Sequence, residues 1–573
     1  MRRFLTRHWV GLSFVLFLGL AFAFTAGAWA HPTITWAGGV GDPDKFINFL
    51  SWYPFAISHG HNPFFDGYLN LPGGTNMMWE TTMPLPAVLA WPVNAIWGPI
   101  FTYNAVLVAG LALDGWCSLL WLRRHVKNPA AVIIAALIME FGPYTGSRAA
   151  GHLNLLLIFA FPLLLITLEE IFFHQRWSFR KAGLLAGLAA AVQLFCTEET
   201  LAIFALGAAG VLVIAAIAKR DFLTRERILF AAKAISVAAV VFLVIAGYPL
   251  YYQFFGPARV HGVIQAAELY KNSPFNLVIP NGIAWLQLPI YHGLQTRWPI
   301  TIDSIEANSY VGPFMLLIAL YTLIRWRHDI WVVGATIMAA SAWILALGPT
   351  LQYGSHSVPL PDRIVTHLPI FDNILPGRYC VALDLALALL LAIFLERRVF
   401  TRASLRFSFA GGLFALAACL TLASAPPSVT QAVIPPYFTS SNGVHDLPTG
   451  SHVLIAPFFN GSATLWQAES DFHVKLDEGN ALHADAHGKG GFYVAGPLFD
   501  VYTSIENSGV EARHTEQLRS AVVSQLNSDA TQYIIVGPMV NQAEAVDFTS
   551  WLLGKQPELN QGVYVWQMPG SQT

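Results

Sequence analysis

Charge is scarce in this sequence. Of its 573 residues only 12% are Asp, Glu, Lys or Arg, while 55% are hydrophobic, and the mean hydropathy is +0.51. That balance excludes an ordinary soluble protein of this size. A formal net charge of −2 leaves no broad basic surface, so nucleic acid is excluded as a partner. Cysteine is nearly absent as well. Cys117, Cys196, Cys380 and Cys419 all fall inside apolar stretches, where they read as small core hydrophobes and not as disulfide or zinc ligands. Heptads, low-complexity tracts and short-period repeats are lacking, which excludes coiled coils and solenoids. A Gly-rich nucleotide-binding loop is lacking too.

What the chain does have is long apolar runs, several reaching the roughly 18–20 residues that cross a bilayer. The runs near 9–30, 101–122, 129–145, 152–172, 181–197, 199–218, 230–252, 310–325, 330–349, 379–396 and 407–424 read as eleven membrane helices. Residues 1–30 pass from basic to apolar to small, the pattern of a signal peptide. In a chain with many crossings they read as a retained first helix, and either reading puts residue 31 outside the cytoplasm. Segment 82–98, "TMPLPAVLAWPVNAIWG", is short. Its prolines Pro84, Pro86 and Pro92 would leave backbone groups unpaired in lipid, so it reads as interfacial or re-entrant.

The basic residues support this count. "MRRFLTRH", "WLRRHVKN", "HQRWSFRK", "AKRDFLTRER", "IRWRHD" and "LERRVFTRASLR" all fall on the inner side. The outer loops before residue 425 hold only Lys45, Arg148, Arg259, Lys271, Arg297, Arg363 and Arg378. Making 82–98 a crossing would reverse that positive-inside bias. The predicted fold is therefore mainly α: a polytopic membrane domain of about eleven helices, residues 1–424, with a polar outer loop at 31–100. The N-terminus is predicted to lie in the cytoplasm. After the proline-rich junction "PPSVTQAVIPPYF", residues 425–573 read as an extracytoplasmic mixed α/β domain. Its predicted strands are "HVLIAPFF", "QYIIVGPM" and "GVYVWQM", with "QAEAVDFTSWLLGK" a helix between two of them.

Under this topology the distinctive polar residues gather outside. Asp42, Asp44, His59, His61 and Asn62 lie in the first outer loop, among aromatic residues dense enough for a folded cap. Arg148 and His152 occupy the next outer turn, and Glu198 and Glu199 the third. The fourth loop carries His261, Glu268, Lys271, Asp303 and Glu306, and the fifth ends in "NILPGRY" with Arg378. Singly each also reads as a solvated cap; together they point to one site. The inner "WLRRHVKN" and "HQRWSFRK" read as plain anchors. Only Asp114, Glu140 and Asp384 lie within predicted spans, and no internal repeat is visible. A transporter or flippase of lipid-linked precursors is thus the second reading, and a non-catalytic envelope-assembly protein the third.

The motifs "GDPDKF", "GHNPFF…LPGG", "GHLNLL", "LGPTLQYG", "LPIFDNILPGRY" and "LIAPFF…LWQAES" resemble the GT-C superfamily of membrane glycosyltransferases, and most closely its bacterial YfhO-like branch. The resemblance implies inverting transfer of a sugar from a polyprenyl-phosphate-linked donor, carried in membrane lipid, to a cell-envelope acceptor. The chain lacks the adjacent Asp-Glu pair of the protein mannosyltransferase branch, which leaves the acceptor open.

In that superfamily an acid of the first outer loop serves the chemistry, and here Asp42 matches it. Gly41 and Pro43 hold it in a constrained turn. Asp44 is the rival base, or a partner that tunes it. Arg378, with Arg148 second, is the expected ligand of the donor phosphate, through its forked donors. His61, Asn62, His152, Glu198 and Glu199 are the expected substrate contacts. Asp42, Asp44, His59 and His61 also form a candidate set for a divalent cation, with a solvated loop as the alternative. "LHADAHG" places His483, Asp485 and His487 on one face if extended, and reads as chance clustering.

Overall fold

The computed structural model describes residues 2–218, 224–298, 305–306, 308–353, 356–401, 405–457, 461–485, 487–492, 496–509 and 514–569. Lys219, Arg220 and Arg402 of the inner segments, and Asp303 of the fourth outer loop, lie outside the described residues. The chain divides into two compact units. One comprises residues 1–27, 105–247 and 265–428; the other comprises 28–104, 248–264 and 429–573.

The first unit is helical. A helix lies at each of the eleven apolar runs. Among the described residues five are long and apolar enough to cross a membrane: Pro99–Leu122, Leu153–His174, Phe179–Cys196, Arg225–Phe255 and Pro376–Val399. Pro129–Phe141 and Pro143–Ala149, bent by 41°, add a sixth if taken as one span. His8–Phe24, Gly312–Arg325, Ile330–Ala346 and Ser408–Leu422 are apolar but shorter. By length and composition the structure thus provides five to six spans. The expected figure of about eleven needs the four shorter helices and Glu198–Ala218 to cross as well.

Burial separates these helices into centre and rim. Cys380–Phe394 is almost wholly buried and packs against Ile330–Ala346, Pro129–Phe141 and Gly312–Arg325. The apolar window of Arg225–Phe255 is only 11% buried, as a lipid-facing helix would be. Small residues let it approach its neighbour: a Cβ on Gly187 would stand 2.6 Å from the Ala238 carbonyl, and Gly183, four residues earlier, abuts the Ala234 carbonyl. This is the small-xxx-small packing of membrane helices.

Two acids inside the spans serve broken helices. Pro143 interrupts the chain at Gly142, and the Tyr144 N–H freed there donates to Asp384 Oδ2 at 3.0 Å. The Ile158 N–H, between Leu153–Leu156 and Ala160–Leu168, donates to Asp114 Oδ1 at 3.1 Å. An unpaired N–H in hydrocarbon costs several kcal/mol, so these carboxyls have a structural reason to be there.

The second unit holds the sheet. Its strand order is Glu558–Asn560, Val563–Gln567, Tyr533–Val536, His452–Ala456, Lys475–Leu476. The strands Tyr533–Val536 and His452–Ala456 run parallel, with Ile534 opposite Leu454 and Val536 opposite Ala456. "YIIV" is buried throughout, because a central parallel strand is covered on both faces. All three predicted strands and the Gln542–Leu553 helix are present. The composition break at 425 lies close to the boundary at Val429. The polar loop 31–100, however, groups with the C-terminal segment and not with the helices. Thr35–Ala37 pairs antiparallel with Val429–Gln431. Segment 82–98 forms two helices, Pro84–Leu89 and Trp91–Trp97, of six and seven residues. Neither is long enough to cross, and Leu89, Ile96 and Trp97 are exposed.

Candidate functional site

The acid loop begins a helix. Asp42–Ser58 starts after Gly41, whose φ of +103° is the left-handed conformation that favours glycine. Proline at the first turn suits that start, since its missing N–H would have no partner there. The Gly41 N–H donates to Asp44 Oδ2 at 3.1 Å, closing the turn.

The two aspartates then diverge. Asp44 is 4% exposed, and burial pushes its carboxyl up to about 7, against the opposing hydrogen bond from Gly41. The Asp42 side chain is 36% exposed and pairs with Lys45 Nζ at 3.2 Å. Lys45 is itself buried, over the rings of Phe46 and Phe492. One carboxylate faces solvent and its neighbour is held inside.

The histidines of the loop sit elsewhere. Asp42–Ser58 is 17 residues long, about 25 Å at 1.5 Å per residue, and His59 and His61 follow its far end. The expected cation set of Asp42, Asp44, His59 and His61 is therefore not one site. Among the described residues no group of three His, Cys, Asp or Glu side chains is placed to hold a metal. His61 packs near Phe55 and Tyr68. Asn62 donates to the Tyr248 hydroxyl at 3.2 Å and accepts from the Phe64 N–H at 3.0 Å. Both expected substrate contacts are thus engaged at the opposite end of the helix from the acids.

In the helical unit, charges distant in sequence converge. Arg148 lies on the short Pro143–Ala149 helix, not in a turn, and is fully buried. Its Nη2 donates to Glu306 Oε2 at 3.0 Å, and its Nη1 lies 3.1 Å from His152 Nδ1. Its guanidinium stands 5.2 Å from the Tyr144 ring centroid. Arg378 pairs with Glu199, and its Nη2 lies 3.8 Å from Glu306 Oε1. Burial would raise the Glu306 carboxyl, but Arg148, Arg378 and His152 outweigh it and hold it at about 2.

Asn308 completes the network. With its amide nitrogen donating to the Gly377 carbonyl at 2.7 Å, its oxygen accepts from Arg148 Nη2 at 2.9 Å and Ser147 Oγ at 3.1 Å. The Nε–H of each arginine is buried and makes no hydrogen bond among the described residues. Glu198 heads the Glu198–Ala218 helix, half-buried beside Glu199.

Arg148, His152, Glu199 and Arg378 are thus brought together. The hub is Glu306, which as one acid of a long loop carried no signal of its own. Arg378 is also not the open cation its place at a helix mouth implied. It is about nine-tenths buried and already balanced by carboxylates.

The family model for a domain of unknown function (DUF6311) matches residues 12–420. No curated protein matches the chain by sequence. Among solved structures, the chain is similar to the archaeal oligosaccharyltransferase AglB from Archaeoglobus fulgidus, in complex with an inhibitory peptide and a dolichol-phosphate. The TM-score is 0.53 at 11% identity, over 96% of this chain and 71% of that one. It is also similar to the arabinofuranosyltransferase AftD from Mycobacteria, in its R1389S mutant form. There the TM-score is 0.58 at 15% identity, over 98% of this chain. This chain spans 41% of that protein's length. One neighbour is thus an oligosaccharyltransferase and the other an arabinofuranosyltransferase, and at these identities the likeness is one of fold.

Proposed function

This chain belongs to the DUF6311 family, and we propose that it is a GT-C membrane glycosyltransferase. It moves a sugar from a polyprenyl-phosphate-linked donor to a cell-envelope acceptor, on the outer side of a bacterial cytoplasmic membrane. The observation that carries this reading is the turn Gly41–Asp44. It presents one accessible and one buried carboxylate at the head of the first helix after an apolar span, in a fold shared with two glycosyltransferases over nearly the whole chain. Placement in the YfhO-like branch rests on the sequence motifs alone.

The residues suit the step. Asp42, paired with Lys45 and partly open to solvent, accepts the proton of the acceptor hydroxyl. The acceptor oxygen bonds to the anomeric carbon as the bond from that carbon to the phosphate oxygen breaks, inverting the centre. The electron pair leaves on the lipid phosphate. Arg378 stabilises that phosphate, exchanging its contact with Glu199 for the phosphate oxygens and using its free Nε–H. Arg148 is the second candidate for this role, and His152, Glu198 and Glu199 complete the donor's surroundings. Asp44 holds the turn. Transfer proceeds with the N-terminus in the cytoplasm and residues 425–573 outside.

The test uses lipid-linked sugars extracted from a deletion strain, with their transfer by the purified full-length protein followed by mass spectrometry. Asp42→Asn should lower transfer on the order of 10²–10⁴-fold, with protein level and lipid binding unchanged. Chelator arms run alongside to report any need for a divalent cation. Full activity of both Asp42→Asn and Asp44→Asn would remove this loop from the chemistry. An inactive Asp44→Asn beside a fully active Asp42→Asn would move the base by two residues.

A further inference from the structure

The helix that carries the acids is seated on the C-terminal segment along one face. Asp44, Asn48, Trp52 and Phe55 follow one another at helical spacing. Asn48 Nδ2 donates to the Thr464 carbonyl and to Gln467 Oε1, each at 3.0 Å. Gln467 Nε2 in turn donates to the Tyr68 and Val474 carbonyls at 2.9 and 3.0 Å. Asn48, Thr464 and Gln467 are all fully buried. The rings of Trp52 and Phe55 meet Phe472 at 5.6 and 4.7 Å between centroids.

At the acidic end of this face stands Gly461, the residue before the Ser462–Glu469 helix. Its φ is +84°. A Cβ there would stand 3.0 Å from Asp44 Cβ and 3.0 Å from the Gly41 carbonyl oxygen. Gly41 and Asp44 bracket Asp42. A glycine is therefore required twice over, by backbone conformation and by the closeness of the acid turn.

We infer that Gly461 and the Ser462–Glu469 helix seat the acid turn, making the C-terminal segment a working part of the transfer site and Gly461 a positioning residue for Asp42. The inference rests on the glycosyltransferase reading above. Its physical basis is tolerance: a reacting group displaced by 1 Å can lose on the order of 10²-fold in rate. Here a single methyl group meets both residues that flank the base. The clamp through Asn48 and Gln467 holds the next turn of the same helix, so the acids have little freedom to move away.

The experiment compares full-length Gly461→Ala, Asn48→Ala and Gly562→Ala in the same transfer assay. Gly562 is the control. It has the same kind of backbone, at φ +90°, in open space. In Gly461→Ala, kcat should fall about 10–100-fold with the donor KM unchanged, and the acid limb of the pH–rate profile should shift. Asn48→Ala should move both in the same direction by less, and Gly562→Ala should move neither.

A folded Gly461→Ala whose kcat and pH profile match those of Gly562→Ala would overturn the inference. So would a loss of activity that merely tracks the fraction of folded protein. If Gly461→Ala does not fold, an unchanged profile in Asn48→Ala decides against it. Transfer abolished by Asp42→Asn but indifferent to Gly461→Ala would sink this inference and leave the function standing. Transfer indifferent to both aspartates would remove the acid turn from the chemistry, and this inference with it, whereas absence of transfer by the unmodified protein would sink the function itself.

Discussion

Replacing Asp44 by Asn should change how stability depends on pH. The Asp44 carboxyl is raised by burial from the ordinary 3.8 to about 7. Between about pH 4 and pH 7 the folded protein therefore keeps a proton that the unfolded chain has released. Stability falls as pH rises through that window and is flat above it. At 1.36 kcal/mol per unit, burying this group costs about 4 kcal/mol at pH 8, where it is ionised, and about 1.5 kcal/mol at pH 5, where it must hold a proton that the unfolded chain has released. Asparagine escapes the charge term, and its side-chain oxygen can still accept the Gly41 N–H. Burying its amide N–H groups costs about 1–2 kcal/mol, equally at both pH values. The difference of about 2.5 kcal/mol between pH 5 and pH 8 is thus the quantity to measure. For a unit on the order of 200 residues it corresponds to about 5–10 °C in Tm. Tryptophan fluorescence melting of the purified protein at the two pH values would report it. Parallel pH dependence of wild type and Asp44→Asn would refute the buried, proton-holding carboxyl.

The remaining predictions concern the charge network and the topology. If Arg378 takes the donor phosphate, Glu199 competes with it. Glu199→Gln should then tighten polyprenyl phosphate binding several-fold, and Arg378→Ala should weaken it, with Arg378→Lys between. Unchanged binding in all three would confine Arg378 to the ion network. Arg148→Ala should destabilise by about 3–5 kcal/mol, because it leaves Glu306 poorly compensated in a buried setting. Glu306→Gln added to it should recover part of that loss in thermal melting, and no recovery would argue against the coupling. For topology, single cysteines at the exposed Ser58 and Ser441, in a cysteine-free background, should react with an impermeant thiol reagent in intact cells. Those at Lys127 and Ser178 should not, and the opposite pattern would invert the orientation.

Local features of the protein could be read without its structure. The apolar runs are helical because each is long enough to satisfy its own backbone away from water. "YIIV" and "VLIA" are strands, being short, β-branched and bounded by turn residues. The Gly-Asp-Pro-Asp turn announced itself through residues that restrict their own backbone. Each of these depends on interactions within a few residues.

Other features depended on which distant segments meet. Asn48 and Gln467 are 419 positions apart, and Arg378 and Glu199 are 179 apart. No local spacing records such a pairing. The same ignorance of context made His59 and His61 look like neighbours of Asp42 and Asp44. Two i,i+2 pairs in a supposed loop became opposite ends of one helix, because the aromatic residues between them had a partner surface to pack against. The sequence by itself determined the membrane character, the acid turn and the strands of the C-terminal segment. Only tertiary packing decided that Glu306 joins the two arginines and that the C-terminal segment carries the acid helix. Packing decides these because burial converts a weak exposed charge pair into a strong constraint, and which groups are buried is a property of the whole fold.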